Sequence, residues 1–247
     1  MRALIIHCHP EPASFNAALT DVSVRTLRDL DHAVEISDLY AEAFDPVERP
    51  GHFRPRKDRT FFSALAEQRH ASETEALPAE IHREIERLER ADLVIFQFPL
   101  WWHGQPAMLK GWFDRVLVNG GLYTSAMRYD RGYFCGKRAI CSVTTGAPAS
   151  AFGPGARGGD IDHLLWPLHY SLHYVGFSVL PPFLAFGIQG HGYAYQSETG
   201  FASRLDALRA QWAGRLKQLG ELPALRFPGW DDWDDAGAAK PDFATGI

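Results

Sequence analysis

Cysteine is scarce in this sequence, and the three present, Cys8, Cys135 and Cys141, form no CxxC pair. An odd, sparse set argues against a disulfide framework and a zinc ribbon and makes a reducing compartment the expectation. Long apolar runs are missing too. Nothing approaches the ~20 residues that cross a bilayer, and the opening run from Ala3 is far too short for the apolar part of a secretory signal. There is no excess of positive charge. A net charge of -5 leaves no footprint for nucleic acid or an anionic membrane surface. Neither a GxSxG elbow nor a P-loop occurs. These absences lead us to expect a cytoplasmic globular protein with no nucleic-acid partner and no membrane insertion.

What remains is a core-forming composition, 46% hydrophobic and 22% charged, on a chain of 247 residues that suits one α/β domain with insertions. Aromatic residues make up 13%, seven of them Trp, enough to wall a planar ligand or simply to fill a large core.

The patterning alternates. Ala3 to Cys8 reads as a buried strand, and Ser14 caps a helix running to about Arg28 with Phe15, Ala18, Leu19 and Val22 along one stripe. Ala33 to Leu39 is a second strand. Residues 41–75 are polar and proline-bearing, read as loop with a short helix. Pro78 opens a helix with Ile81, Ile85 and Leu88 on one face, Leu93 to Phe98 is a continuous apolar strand, and Pro106 opens a further helix. Arg138 to Thr144 gives a fourth strand, 161–174 a helix, Phe177 to Leu180 a fifth strand and about 200–218 a last helix. Strand and helix in alternation predict a doubly wound parallel sheet with helices on both faces. The domain is expected to span 1–219, with 220–247 as an extended tail over the surface or a partner subunit.

Ligands of such sheets bind beyond the carboxyl ends of the strands. Three loops leave those ends: 9–16, 99–105 and 145–159. The first enters a helix N-terminus, whose free N–H groups suit a phosphate. The second offers Trp101 and Trp102 to a flat ring. The third starts Thr144-Thr145-Gly146, where small residues admit close backbone approach. Each also has a bland reading, as a cap, as packing and as a turn. Together they suggest a flavin nucleotide.

The segment Leu93 to Val116, LVIFQFPLWWHGQPAMLKGWFDRV, resembles the signature of the NAD(P)H:quinone oxidoreductases, the DT-diaphorase family of flavodoxin-like proteins. His9 with Ser14-Phe15-Asn16, Ser37-Asp38-Leu39-Tyr40, Thr144-Thr145-Gly146 and Leu165-Trp166-Pro167 match in type and order, so the resemblance covers roughly 2–218. It implies a five-stranded sheet in the order 2-1-3-4-5 and a homodimer with FAD at the subunit interface, FMN being the alternative flavin. His9, Ser14, Phe15 and Asn16 would hold the dinucleotide end. Pro99, Leu100, Trp101, Trp102 and His103, with Thr144, Thr145, Gly146 and Ala147, would border the isoalloxazine, and Arg204 would reach the adenosine side. Tyr123, Tyr129, His173 and Tyr174 match positions near the acceptor pocket, partly contributed across the dimer. NAD(P)H and a quinone would use that pocket in turn.

Departures matter as much. The family places a Tyr and a His in the third loop, where this chain has Phe152 and Gly158, and Arg157 stands next to the second as a substitute positive charge or as a solvated loop residue. Phe152, Arg157, Tyr123 and His173 are therefore the candidates for a direct catalytic role. His103 replaces an apolar aromatic, which alters the acceptor side. The GxGxxG of 153–158 lies mid-loop rather than between strand and helix and is not read as a dinucleotide fingerprint. His7 and His9 share a strand face while Cys8 points away, and His169 and His173 are four apart on a helix without a third ligand, so no metal is expected. Two other classes resemble this pattern: azo- and nitroreductases with FMN, and ancillary subunits of glutathione-gated potassium efflux systems, for which a peripheral membrane partner would be the main business.

Overall fold

The computed structural model describes residues 1–189 and 198–241. Strands β1 (Arg2–His7), β2 (Ala33–Asp38), β3 (Leu93–Pro99) and β4 (Arg138–Thr144) run parallel in the order β2-β1-β3-β4. Beyond β4 lie two short strands, β5 (Ser178–Val179) and β6 (Phe183–Ala185), both parallel to it. The sheet order matches the expected 2-1-3-4-5, with the fifth position divided. Leu180 N still donates to Ala139 O at 2.8 Å. Pro181 and Pro182 then offer no N–H to the ladder, and pairing resumes with Phe183 opposite Ser142.

Among the described residues the α-helices are α1 (Phe15–Asp29), α2 (Ala64–Glu73), α3 (Ala79–Arg90), α4 (Ala107–Val116), α5 (Ile161–Tyr174) and, after the last strand, α6 (Glu198–Lys217). The strand period of two sorts the core. Leu4, Ile6, Val94, Phe96, Phe98, Cys141 and Val143 pack with α3, α4 and α5, whereas Ala3, Ile5, Leu93, Ile95 and Ile140 pack with α1 and α6. Both faces being covered, β3 is buried along its whole length, with Gln97 as its one polar side chain. Phe96 touches Trp112 (5.7 Å between centroids) and Phe113 (5.4 Å); truncating such a ring costs about 3–5 kcal/mol.

Residues 41–75 were hard to read because a carboxylate organises them. Buried Glu67 on α2 accepts from Lys57 N (2.8 Å) and Asp58 N (3.2 Å) and pairs with Arg56. The chain after α6 lies on its own subunit. Leu225 N donates to Val179 O at 2.7 Å, extending the contact along the sheet edge, and Phe227, Trp230 and Trp233 then cross the aromatic surface of α5 and residues 128–131. The call for the tail's last residues, 242–247, lies outside the described residues.

Candidate functional site

The loops after β1, β3 and β4 meet at one rim of the sheet. Ser14 Oγ accepts from Ala17 N (3.1 Å), which fixes the start of α1. Two first-turn N–H groups, of Phe15 and Asn16, have no acceptor among the described residues. They carry the positive end of the helix dipole toward the loop. His9 Nδ1 accepts from Glu11 N (3.0 Å), and its ring lies 5.8 Å from that of Trp101.

The second loop is strained. Trp101 and Gly104 exchange both main-chain hydrogen bonds, at 3.0 and 3.1 Å. The two residues between them, Trp102 and His103, have φ of 50° and 60°. This is the turn that Asn-Gly usually fills, and a non-glycine residue there costs roughly 1–2 kcal/mol. The turn presents Trp102 to solvent at 98% exposure. The loop thus holds a large indole outward at a cost in backbone energy.

Thr144 joins the three loops. Its carbonyl accepts from Leu100 N (2.8 Å) and its Oγ1 accepts from Asn16 Nδ2 (2.9 Å). Thr145 N donates to Ala185 O, Ile188 N to Thr145 O and Gly187 N to Ala147 O, so the strand-like pairing of β4 with β6 runs on past both strand ends. The N–H groups of Gly146 and Ala147 have no acceptor among the described residues. A Cβ on Gly146 would fall 2.5 Å from Gln189 Oε1, so the bare glycine is what lets the Gln189 side chain lie against this loop. Farther on, the Phe152 ring packs on Phe186 (5.4 Å) and over Gly158. Gly153, Gly155 and Gly159 hold φ of 133°, 75° and 81°, so these glycines serve the turn. Arg157 is exposed and has neither ion pair nor hydrogen bond among the described residues.

Three expected site residues turn out differently. Asn16 is 1% exposed and both ends of its amide are engaged, Oδ1 by Gln97 Nε2 (2.8 Å) and Nδ2 by Thr144; only its main-chain N–H faces the loop. Arg204 folds inward, Nη2 donating to Gly187 O with the guanidinium 5.5 Å from the Phe201 ring; it braces the segment that pairs with Ala147 instead of reaching outward. His173 is covered by the tail. Its Nε2 meets Pro228 O at 2.9 Å, its ring stacks on Phe227 (4.9 Å), and burial lowers its pKa. Within one subunit it is a packing partner of the tail and not an open acid or base.

Tyr123, Tyr129, His173 and Tyr174 do gather into one cluster, with Tyr174 5.5 Å from Tyr123 and 5.1 Å from Tyr129. Arg128 Nη1 donates to Tyr174 OH (3.1 Å). No ring contact or hydrogen bond among the described residues links this cluster to Phe152, Arg157 or Gly158. Tyr123 and Tyr174 instead line a groove of about 550 Å³ with Leu65, Phe113, Leu117 and Tyr170, which Gln105 of the second loop also borders. The sequence reading missed Gln97, Phe186, Trp230 and Trp233. Gln97 alone had a visible signal, as a polar residue inside the apolar run of β3.

Comparison with known proteins places the chain in two steps. A family model described as flavodoxin-like fold matches residues 1–211, which agrees with the sheet order and with loops at its carboxyl rim. Among curated proteins, the chain is 44% identical over 92% of its length, and 80% of the relative's, to NAD(P)H dehydrogenase [quinone] 1 of Cavia porcellus. It is 38% identical over 93% of its length, and 96% of the relative's, to ribosyldihydronicotinamide dehydrogenase [quinone] of Mus musculus. A solved structure of a candidate quinone reductase from Klebsiella pneumoniae superposes with a TM-score of 0.87 at 34% identity, covering 100% of this chain and 96% of that one. The chain belongs to the NAD(P)H:quinone oxidoreductase family and is an oxidoreductase enzyme.

Proposed function

We propose that the protein transfers electrons from NAD(P)H to a quinone through a bound flavin, FAD in preference to FMN, in a homodimer of the cytoplasm. The observation that carries this reading is the convergence of N–H groups from Phe15, Asn16, Gly146 and Ala147, without acceptors among the described residues, at the rim that bears the outward indole of Trp102. The helix terminus suits a diphosphate, the main-chain N–H groups of Gly146 and Ala147 suit the polar edge of a ring system, and Trp101 and Trp102 suit its flank. A flavin held there would supply the hydride chemistry, taking a hydride from NAD(P)H and passing two electrons to the acceptor.

The protein's part is orientation and charge. NAD(P)H and acceptor would occupy the same face in turn, a ping-pong sequence. Phe152 would offer an apolar wall, and the exposed Arg157, without a partner among the described residues, would supply positive charge to favour negative charge developing nearby. The apolar groove bordered by Leu65, Phe113, Leu117, Tyr123 and Tyr174 supports a second copy docking there, which would bring the tyrosines to its partner's site. The buried free thiols Cys8 and Cys141 accord with a reducing compartment.

An absorbance spectrum of the purified protein, with release and mass measurement of any chromophore, tests the cofactor and distinguishes FAD from FMN. Steady NAD(P)H consumption with menadione tests the activity, and light scattering tests the dimer. A colourless protein whose melting temperature ignores added FAD and FMN would sink the reading.

A further inference from the structure

We propose that Asn16 and Thr144 form a buried clamp that sets the distance between the two halves of the flavin cradle, acting as positioning residues through each other's side chains. The inference rests on the flavin reading above and assigns these side chains a task other than touching the ligand.

The clamp belongs to a polar row beneath α1. On the α1 face of the sheet the strands present Ile5, Ile95 and Ile140 side by side, and two residues nearer the rim the same face turns polar with His7, Gln97 and Ser142 in register, then Thr144. All four polar residues are nearly inaccessible to solvent. His7 Nδ1 pairs with Thr20 Oγ1 at 2.9 Å, Gln97 Nε2 donates to Asn16 Oδ1 at 2.8 Å and to Ser142 O at 3.1 Å, and Asn16 Nδ2 donates to Thr144 Oγ1 at 2.9 Å. Helix-on-sheet packing needs none of this, because Ile and Leu deeper on the same face already do it. A buried polar row is costly unless satisfied, and hydrogen bonds fix position where apolar packing tolerates sliding. Gln97 Oε1 and Ser142 Oγ, in the same row, have no partner among the described residues. The row therefore secures location at some loss of stability.

Its location is the informative part. Asn16 is the second residue of α1 and supplies one of the two unpaired first-turn N–H groups. Thr144 ends β4 and leads directly into Gly146 and Ala147, which supply the other two. Through its carbonyl Thr144 also holds Leu100, two residues before Trp102. One side-chain hydrogen bond thus spans the phosphate-binding helix start and the ring-binding loop, with the indole turn attached to the same residue.

The test uses apoprotein and flavin titration. Thr144→Val keeps the shape and removes the acceptor, leaving Asn16 Nδ2 buried and unpaired; Asn16→Ala removes the donor. Each is expected to weaken flavin binding, read by fluorescence quenching, about tenfold. In the double variant the two losses should be far less than multiplicative, and Thr144→Ser should recover most of the affinity lost by Val. A scaffold role alone would lower the melting temperature of the apoprotein while leaving flavin dissociation within twofold of the unsubstituted protein, and that result overturns the clamp. If the unsubstituted apoprotein binds neither FAD nor FMN, the underlying flavin reading falls and the clamp with it.

Discussion

Gly158 stands where, by the family resemblance, a histidine is expected, and the structure predicts that a histidine cannot simply be placed there. Its φ lies outside the left-handed region, so the objection is spatial. A Cβ there would meet Ala151 O at 2.7 Å and the Phe152 ring at 3.2 and 3.3 Å. The carbonyl is backbone and cannot swing away cheaply, because Gly158 N donates to it at 2.8 Å. Overpacking of this kind costs about 1–3 kcal/mol. For a chain of this size each kcal/mol shifts the melting temperature by about 2–4 °C, so Gly158→His should melt roughly 2–12 °C lower. Phe152→Tyr adds only a hydroxyl to a half-buried ring and should stay within about 2 °C. Differential scanning fluorimetry of the two apoprotein variants checks this. Equal melting of Gly158→His and the unsubstituted protein would refute the steric account and leave the departure from the family pattern without a structural cause.

Trp112 Nε1 donates to the carboxylate of buried Glu84 at 2.8 Å, which Ser37 and Arg87 also hold, so Trp112→Phe should lose about 2–4 kcal/mol by chemical denaturation, from one lost hydrogen bond to a buried carboxylate and a small cavity. His169 is buried, its Nε2 has no partner among the described residues, and burial lowers its pKa to about 4 from 6.5. The unfolded chain then binds the extra proton between pH 6.5 and 4, so this residue's share of stability is full above pH 6.5 and falls by about 3 kcal/mol as pH drops to 4. A His169→Leu protein should show a correspondingly flatter urea midpoint between pH 7 and 4.5; an unchanged slope would exclude His169 as the source. Arg157→Ala should slow flavin reduction by NAD(P)H about tenfold in stopped flow, and an unaltered rate would remove Arg157 from the mechanism.

The order of strands and helices was legible along the chain because hydrophobic period is a local property. It was enough to predict a parallel sheet, the rim where loops collect, and the segments 9–16, 99–105 and 145–159 as the place for chemistry. Ser14 as a cap and the continuous burial of β3 follow from the same local rules. Division of the fifth strand could also be suspected from Pro181 and Pro182, whose missing N–H groups act locally.

Direction of side chains was another matter. Asn16 in a ligand-like motif turns out to reach Thr144, 128 positions away, and Arg204 reaches back to Gly187. His173 finds a carbonyl of the tail, and Trp102 acquires a left-handed backbone from the pairing of its neighbours. Sequence alone determined the class of fold, the family resemblance and which loops converge. Tertiary structure alone decided which polar groups in those loops remain unpaired, because a donor or acceptor is spent by whatever lies within about 3 Å of it, and at such separations along the chain only the folded geometry brings the partner near.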